Sequence, residues 1–177
     1  MSALFAALMQ VAIAGAPVDE PLPEVRVERI ATSVLGGFAV ANLTTGTTGY
    51  FVAEAPAWRA FHGTNAAWNT VNLGLAAAGS VSLARRADET LAQRQARGAK
   101  LHRVLAINAG LDVGYMATGA TLWAVGSQQN RPELHGAGAS LLVQGAFLLA
   151  FDLTYRSCHR NALSRAARPV YSSPTTP

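Results

Sequence analysis

Four long stretches of the chain, residues 30–52, 60–84, 104–127 and 136–155, are almost free of charge. The first holds no Asp, Glu, Lys or Arg, the second only the titratable His62, the third only Asp112 and the fourth only Asp152. About 20 helical residues at roughly 1.5 Å each cross a hydrocarbon core of about 30 Å, and each stretch is long enough. A soluble amphipathic helix carries charge every few residues on its outward face. These stretches have no such face. The pattern predicts an all-α membrane protein, an antiparallel up-and-down bundle of four transmembrane helices over residues 30–160. A short apolar segment, residues 1–16, and a polar lead-in, residues 17–29, precede it.

The connections fit that topology. Residues 53–59, with Pro56, join the first two spans closely enough to make them antiparallel neighbours. Residues 128–135, with Pro132, do the same for the last two. The middle connection, residues 85–103, is rich in Ala, Gln and Arg and favours helix, so the second helix is expected to continue past the span as far as Gly98. Residues 161–177 end in a polar, proline-rich tail and are expected to be disordered.

Inside the spans, His62, Asn65, Asn69 and Asn72 recur at spacings of three and four, which places them on one face of the second helix. Amides facing lipid leave hydrogen-bonding groups unsatisfied, so that face is expected to turn towards other helices or water. The third helix answers with Asn108, Asp112 and Tyr115, the fourth with Gln144 and Asp152, and the first with Asn42, Thr44 and Thr45. Depth counted along each span predicts one layer of Asn42, Asn72, Tyr115 and Gln144. Asp112 lies a turn away, and Asn108 lies beside Asp152 a turn further. No Lys or Arg lies within a span to pair with Asp112, so its partners are amides, hydroxyls, water, a cation or a proton. An intramembrane carboxyl is a functional-site candidate by default. Asp152 also stands four residues before Arg156, where it reads equally as a helix-end ion pair. His62, near the span's end, reads first as an interfacial side chain. Gly110 with Gly114, Gly74 with Ala78, and Gly136 with Gly138 are the small-residue spacings expected where helices pack closely.

Charge sharpens the picture. All but two of the 14 Lys and Arg residues lie before the first span, in the middle connection or after the fourth span, which share one side of a four-span topology. Arg59 and Arg131 are the exceptions. The positive-inside rule then puts both termini in the cytoplasm. Residues 1–16 also resemble a secretory leader lacking its basic start, and cleavage there would invert the orientation. Both orientations stay open. The net charge of +4 flanks apolar runs and forms no folded basic face, so nucleic acid is not an expected partner. A single cysteine, Cys158, allows no internal disulfide, and no His, Cys and carboxylate cluster has metal-ligand spacing. No phosphate-binding glycine loop is present, and no cofactor is expected. Catalysis is the weakest reading.

The strings FHGTNAAWNTVNLGLA (61–76), NAGLDVGY (108–115) and SLLVQGAFLLAFD (140–152) resemble a family of uncharacterised bacterial membrane proteins, a domain of unknown function. The resemblance covers residues 30–160. It rests on His62, Asn65, Trp68, Asn69, Asn72, Gly110, Asp112, Tyr115, Gln144, Gly145 and Asp152. It implies an inner-membrane four-helix protein and no particular activity. The expected roles are therefore a structural or interaction bundle with a buried polar core centred on Asp112, or a small transporter or ion- or proton-conducting subunit. Its expected partners are the bilayer, a second copy or another membrane protein, with a small ligand or ion left open.

Overall fold

The computed structural model describes residues 22–85 and 89–166. The expectations for residues 1–16 and for the tail after 166 lie outside the described residues. Four helices follow one another: α1 (Pro23–Val52), α2 (Pro56–Ala84), α3 (Leu91–Gln128) and α4 (Pro132–Ala166). The described residues contain no strand.

Local chemistry sets the helix starts. Proline stands in the first turn of α1, α2 and α4, where its missing N–H removes no helical hydrogen bond. Thr90 caps α3 with a capping box: its hydroxyl accepts from the Gln93 backbone N–H at 3.3 Å, and the Thr90 N–H donates to Gln93 Oε1 at 2.8 Å. Between α3 and α4 the chain reverses through Asn130, whose φ of 52° is the left-handed conformation that asparagine tolerates.

Every helix outruns its expected span. α1 begins seven residues early, at Pro23, because Glu24 and Glu28 are buried against partners far along the chain and not solvated. The helical part of the middle connection belongs to α3, not to a prolonged α2. α2 stops at Ala84, and Gly98 lies inside α3. α4 runs on to Ala166 with His159, Ala162 and Leu163 buried, so residues 161–166 are ordered helix. Among the described residues one helix, α4, is long and apolar enough by length and composition to cross a membrane; amides and glycines interrupt the hydropathy of the others.

The helices do not form a closed ring. α1 packs on α2 and α3 on α4 as antiparallel hairpins, α4 also packs on α2 and α1, and α2 and α3 scarcely touch. Glycines let α4 take this central place. A Cβ at Gly138 would lie 2.5 Å from the Gly119 carbonyl oxygen, and one at Gly136 would lie inside the Ala57 backbone of α2. Gly46 of α1 similarly meets the α2 backbone at Ala66. The G-x-x-x-G of Gly110 and Gly114 is a different case: both glycines, like Gly74, face open space. On the α1–α4 side Phe38 stacks on Phe147, with ring centroids 3.4 Å apart, above a small apolar cluster around Ala31 and Phe151.

Candidate functional site

Three polar assemblies run along the bundle. The first is an amide relay. Asn72 Nδ2 donates to Asn69 Oδ1 at 3.2 Å, and Asn69 Nδ2 donates to the Asn65 carbonyl at 2.8 Å. Asn65 Nδ2 donates to Asn42 Oδ1 at 3.1 Å, and Asn42 Nδ2 closes the line on the Phe38 carbonyl at 2.9 Å. Gln144 of α4 joins it by donating to Asn65 Oδ1. Helical spacing puts the three α2 amides on one face, and the close α1–α2 and α2–α4 packing buries them.

The pairing differs from the layer expected by depth. Asn42 and Gln144 meet at Asn65, not at Asn72. Tyr115 meets Trp68 edge-on, with centroids 4.6 Å apart. Depth counts failed because the helices extend unequally beyond the expected spans and α4 lies among the others. His62 stands apart from the relay near the α1–α2 connection, against Gly49 and between Trp58 and Phe61. Thr44 and Thr45 bond their own helix, to the carbonyls of Val40 and Ala41.

The second assembly is a cleft of about 360 Å³ in the gap between α2 and α3, floored by α4. Asn72 brings the end of the relay to its wall, and Asn108, Asp112, Tyr115 and Asp152 line it as well. Asp152 is buried beside Asn108, within hydrogen-bonding reach of that amide, and is not paired with Arg156. Asp112 is 3% exposed, and its Oδ2 has no hydrogen-bond partner. Apart from Thr32 and Tyr155, the rest of the wall is largely apolar, from Trp68, Val71 and Leu75 on one side and Val104, Leu105 and Leu111 on the other.

The third assembly was missed in the sequence. At the basic end, the Glu24 carboxylate of α1 accepts from Arg94 Nε of α3 at 2.5 Å. Glu28, one turn on, pairs with Arg97, which also holds Glu89 at 3.0 Å. Burial of the Arg97 guanidinium opposes its charge, but Glu28 and Glu89 outweigh that, so its pKa stands above the ordinary value. Glu28 Oε1 also lies 3.0 Å from His159 Nε2, and His159 Nδ1 lies 3.1 Å from His102 Nε2. A carboxylate only accepts, so His159 Nε2 carries the hydrogen there, and in the neutral ring Nδ1 accepts from His102. The His102 pKa is lowered from 6.5, first by burial and then by the electrostatic influence of the neighbouring His159, Arg156 and Arg160. Two acidic residues at i and i+4 ahead of the first charge-free stretch were the available signal, since that spacing sets them on one helix face. Their partners lie some seventy residues away, at Arg94 and Arg97.

No curated protein and no solved structure matches the chain. A family model does, over residues 34–153, a span that takes in the amide relay and the cleft aspartates but stops short of Glu24, Glu28 and His159. The chain belongs to that family, DUF6992, a family of unknown function.

Proposed function

We propose that this protein is an integral membrane bundle of four spans, an interaction module whose polar interior fixes its shape and whose side cleft is its working site. The observation that carries this reading is the inverted distribution of polarity. Asn69 is fully buried and Gln144 is 1% exposed, while Val71 is 61%, Ile107 58% and Val143 53% exposed. In water such an exchange buries polar groups and exposes apolar ones, both unfavourable. In a bilayer both terms change sign. The basic residues gathered at one end then support cytoplasmic termini. Pairing of Arg94 and Arg97 in the folded state does not undo this, because the rule counts Lys and Arg and not net charge.

The relay supports a structural role over conduction. An amide N–H is a poor proton carrier, and the line that starts at the cleft ends, on the far side, on the Phe38 backbone carbonyl and not on a second titratable group. The unpartnered Asp112 oxygen favours a second reading, an ion- or proton-conducting subunit. Flux through proteoliposomes separates the two. The module reading expects no proton or cation current above that of empty vesicles, and a current lost in Asp112→Asn would replace it with the channel reading.

The membrane reading is checked by expressing the full chain in bacteria and washing the membranes at alkaline pH. The protein is expected to stay in the pellet and to need detergent for release. A cysteine introduced at Leu91 is expected to resist an impermeant thiol reagent on intact cells. Recovery in the wash would overturn the membrane assignment, and labelling would reverse the orientation.

A further inference from the structure

We propose that the cleft between α2 and α3 binds a lipophilic organic cation, an alkyl- or arylalkylammonium, with its charged head on Asp112 and Asp152 and its apolar body against Val71, Leu75 and Leu111. The cleft itself is a property of the fold, and sideways access from lipid rests on the membrane reading above.

Charge comes first. Two carboxylates line the cleft, and no Lys, Arg or His does. Asp112 is almost wholly buried, and its Oδ2 meets no donor. A carboxyl held this way without a partner is costly to ionise, several kcal/mol in order of magnitude, and a positive group arriving from outside offsets part of that cost. The same charge rejects a fatty acid or any other anion.

Size and donor chemistry then argue against a tightly held divalent metal ion as the resident occupant. About 360 Å³ is at the small end of ligand pockets, which run from roughly 300 to 1,000 Å³, and is far larger than one ion needs. Hard cations such as calcium demand about six to eight oxygen ligands. Among the described residues no group of three His, Cys, Asp or Glu side chains could hold a metal. An ammonium needs only three acceptors, which two carboxylates and the Asn72 or Asn108 carbonyl oxygen can supply.

The walls fit the remainder of such a molecule. Trp68 and Tyr115, in edge contact, and Phe151 with Tyr155 present aromatic surface to the cleft, and an organic cation is attracted to aromatic faces. Val71, Leu75 and Leu111, all at least half exposed, form an apolar rim on the side of the bundle. A ligand with a charged head and an apolar body matches an acidic floor behind an apolar rim.

The test uses the full-length protein in lipid nanodiscs and three probes of one size: 4-phenylbutylammonium, 4-phenylbutanol and 4-phenylbutyrate. Equilibrium dialysis, corrected with empty nanodiscs, is expected to show saturable one-to-one binding of the ammonium. The alcohol and the carboxylate should bind at least about tenfold more weakly, and Asp112→Asn should lose about tenfold or more for the ammonium alone. Leu75→Trp fills the cleft from an exposed position and is expected to abolish binding while leaving the melting temperature unchanged, which keeps the test valid if Asp112→Asn fails to fold. Equal binding of the alcohol, or an unchanged affinity in both variants, would overturn the proposal. So would an absence of saturable ammonium binding. Each of those results leaves the alkaline-wash outcome untouched, so the ligand and the membrane assignment fail separately.

Discussion

Asn65 shows how one side chain holds three helices. Its amide reaches Asn42 on α1, its side-chain oxygen accepts from Gln144 on α4, and its backbone carbonyl takes Asn69 on its own helix. Replacing it with leucine leaves the Gln144 amide without its acceptor in a buried site, and an unsatisfied buried group costs about 1–3 kcal/mol. Asn42 is half-buried, so Asn42→Ala is expected to cost less, nearer the roughly 0.5 kcal/mol low end for the net worth of a hydrogen bond. Reversible unfolding in mixed micelles measures both, and equal losses would refute the hub role of Asn65. The residues of this network were legible in the sequence, because a three-four spacing of amides on an otherwise apolar helix identifies a buried face. Their partners were not. Pairing depends on the relative shift of neighbouring helices, which is set by glycine contacts that spacing alone does not distinguish.

At the scale of the elements, the glycines make the same point more sharply. The sequence offers several small-residue pairs of equal merit, and the structure uses only some of them. A Cβ at Gly138 meets backbone atoms of Gly119 and Trp123, which have no flexible end to move aside, whereas one at Gly110 meets nothing within 4 Å. Gly138→Ala is therefore expected to destabilise the α3–α4 hairpin by about 1–3 kcal/mol, the usual range for overpacking. Gly110→Ala should stay neutral or stabilise slightly, since alanine is the better helix former. Melting temperatures of the two purified variants decide this, and a neutral Gly138→Ala would mean that the α3–α4 contact is looser than the geometry indicates. Helix existence and order were readable from the charge-free stretches. Helix ends were not, because Glu24, Glu28, Arg94 and Arg97 look like solvated flanks until their pairing across α1 and α3 is seen.

For the whole molecule, those ion pairs tie the basic end of α1 to α3, and the two histidines extend the tie to α4. Because the folded state holds the His102 pKa below 6.5, the unfolded chain binds a proton that the folded chain resists. Stability therefore rises with pH between the lowered value and 6.5, and His102 adds no further slope above 6.5. Acidification from about pH 7.5 to about pH 5.5 is expected to lower the melting temperature, and His102→Gln to remove part of that drop. A slope identical in the variant would assign the pH response to other groups.

The central position of α4 also has a consequence for synthesis. It is the last of the four helices to leave the ribosome, yet α1, α2 and α3 all pack on it, and Gln144 is the relay's link to it. Until Pro132–Ala166 emerges, α3 lacks its principal neighbour, and Asn65 lacks the Gln144 donor. The contacts that α4 supplies can therefore form only after its synthesis, while those between α1 and α2 need no later segment. A polypeptide cut short before Pro132 would keep its amide face uncovered towards the missing helix, a mark by which quality-control proteases can tell it from the finished protein.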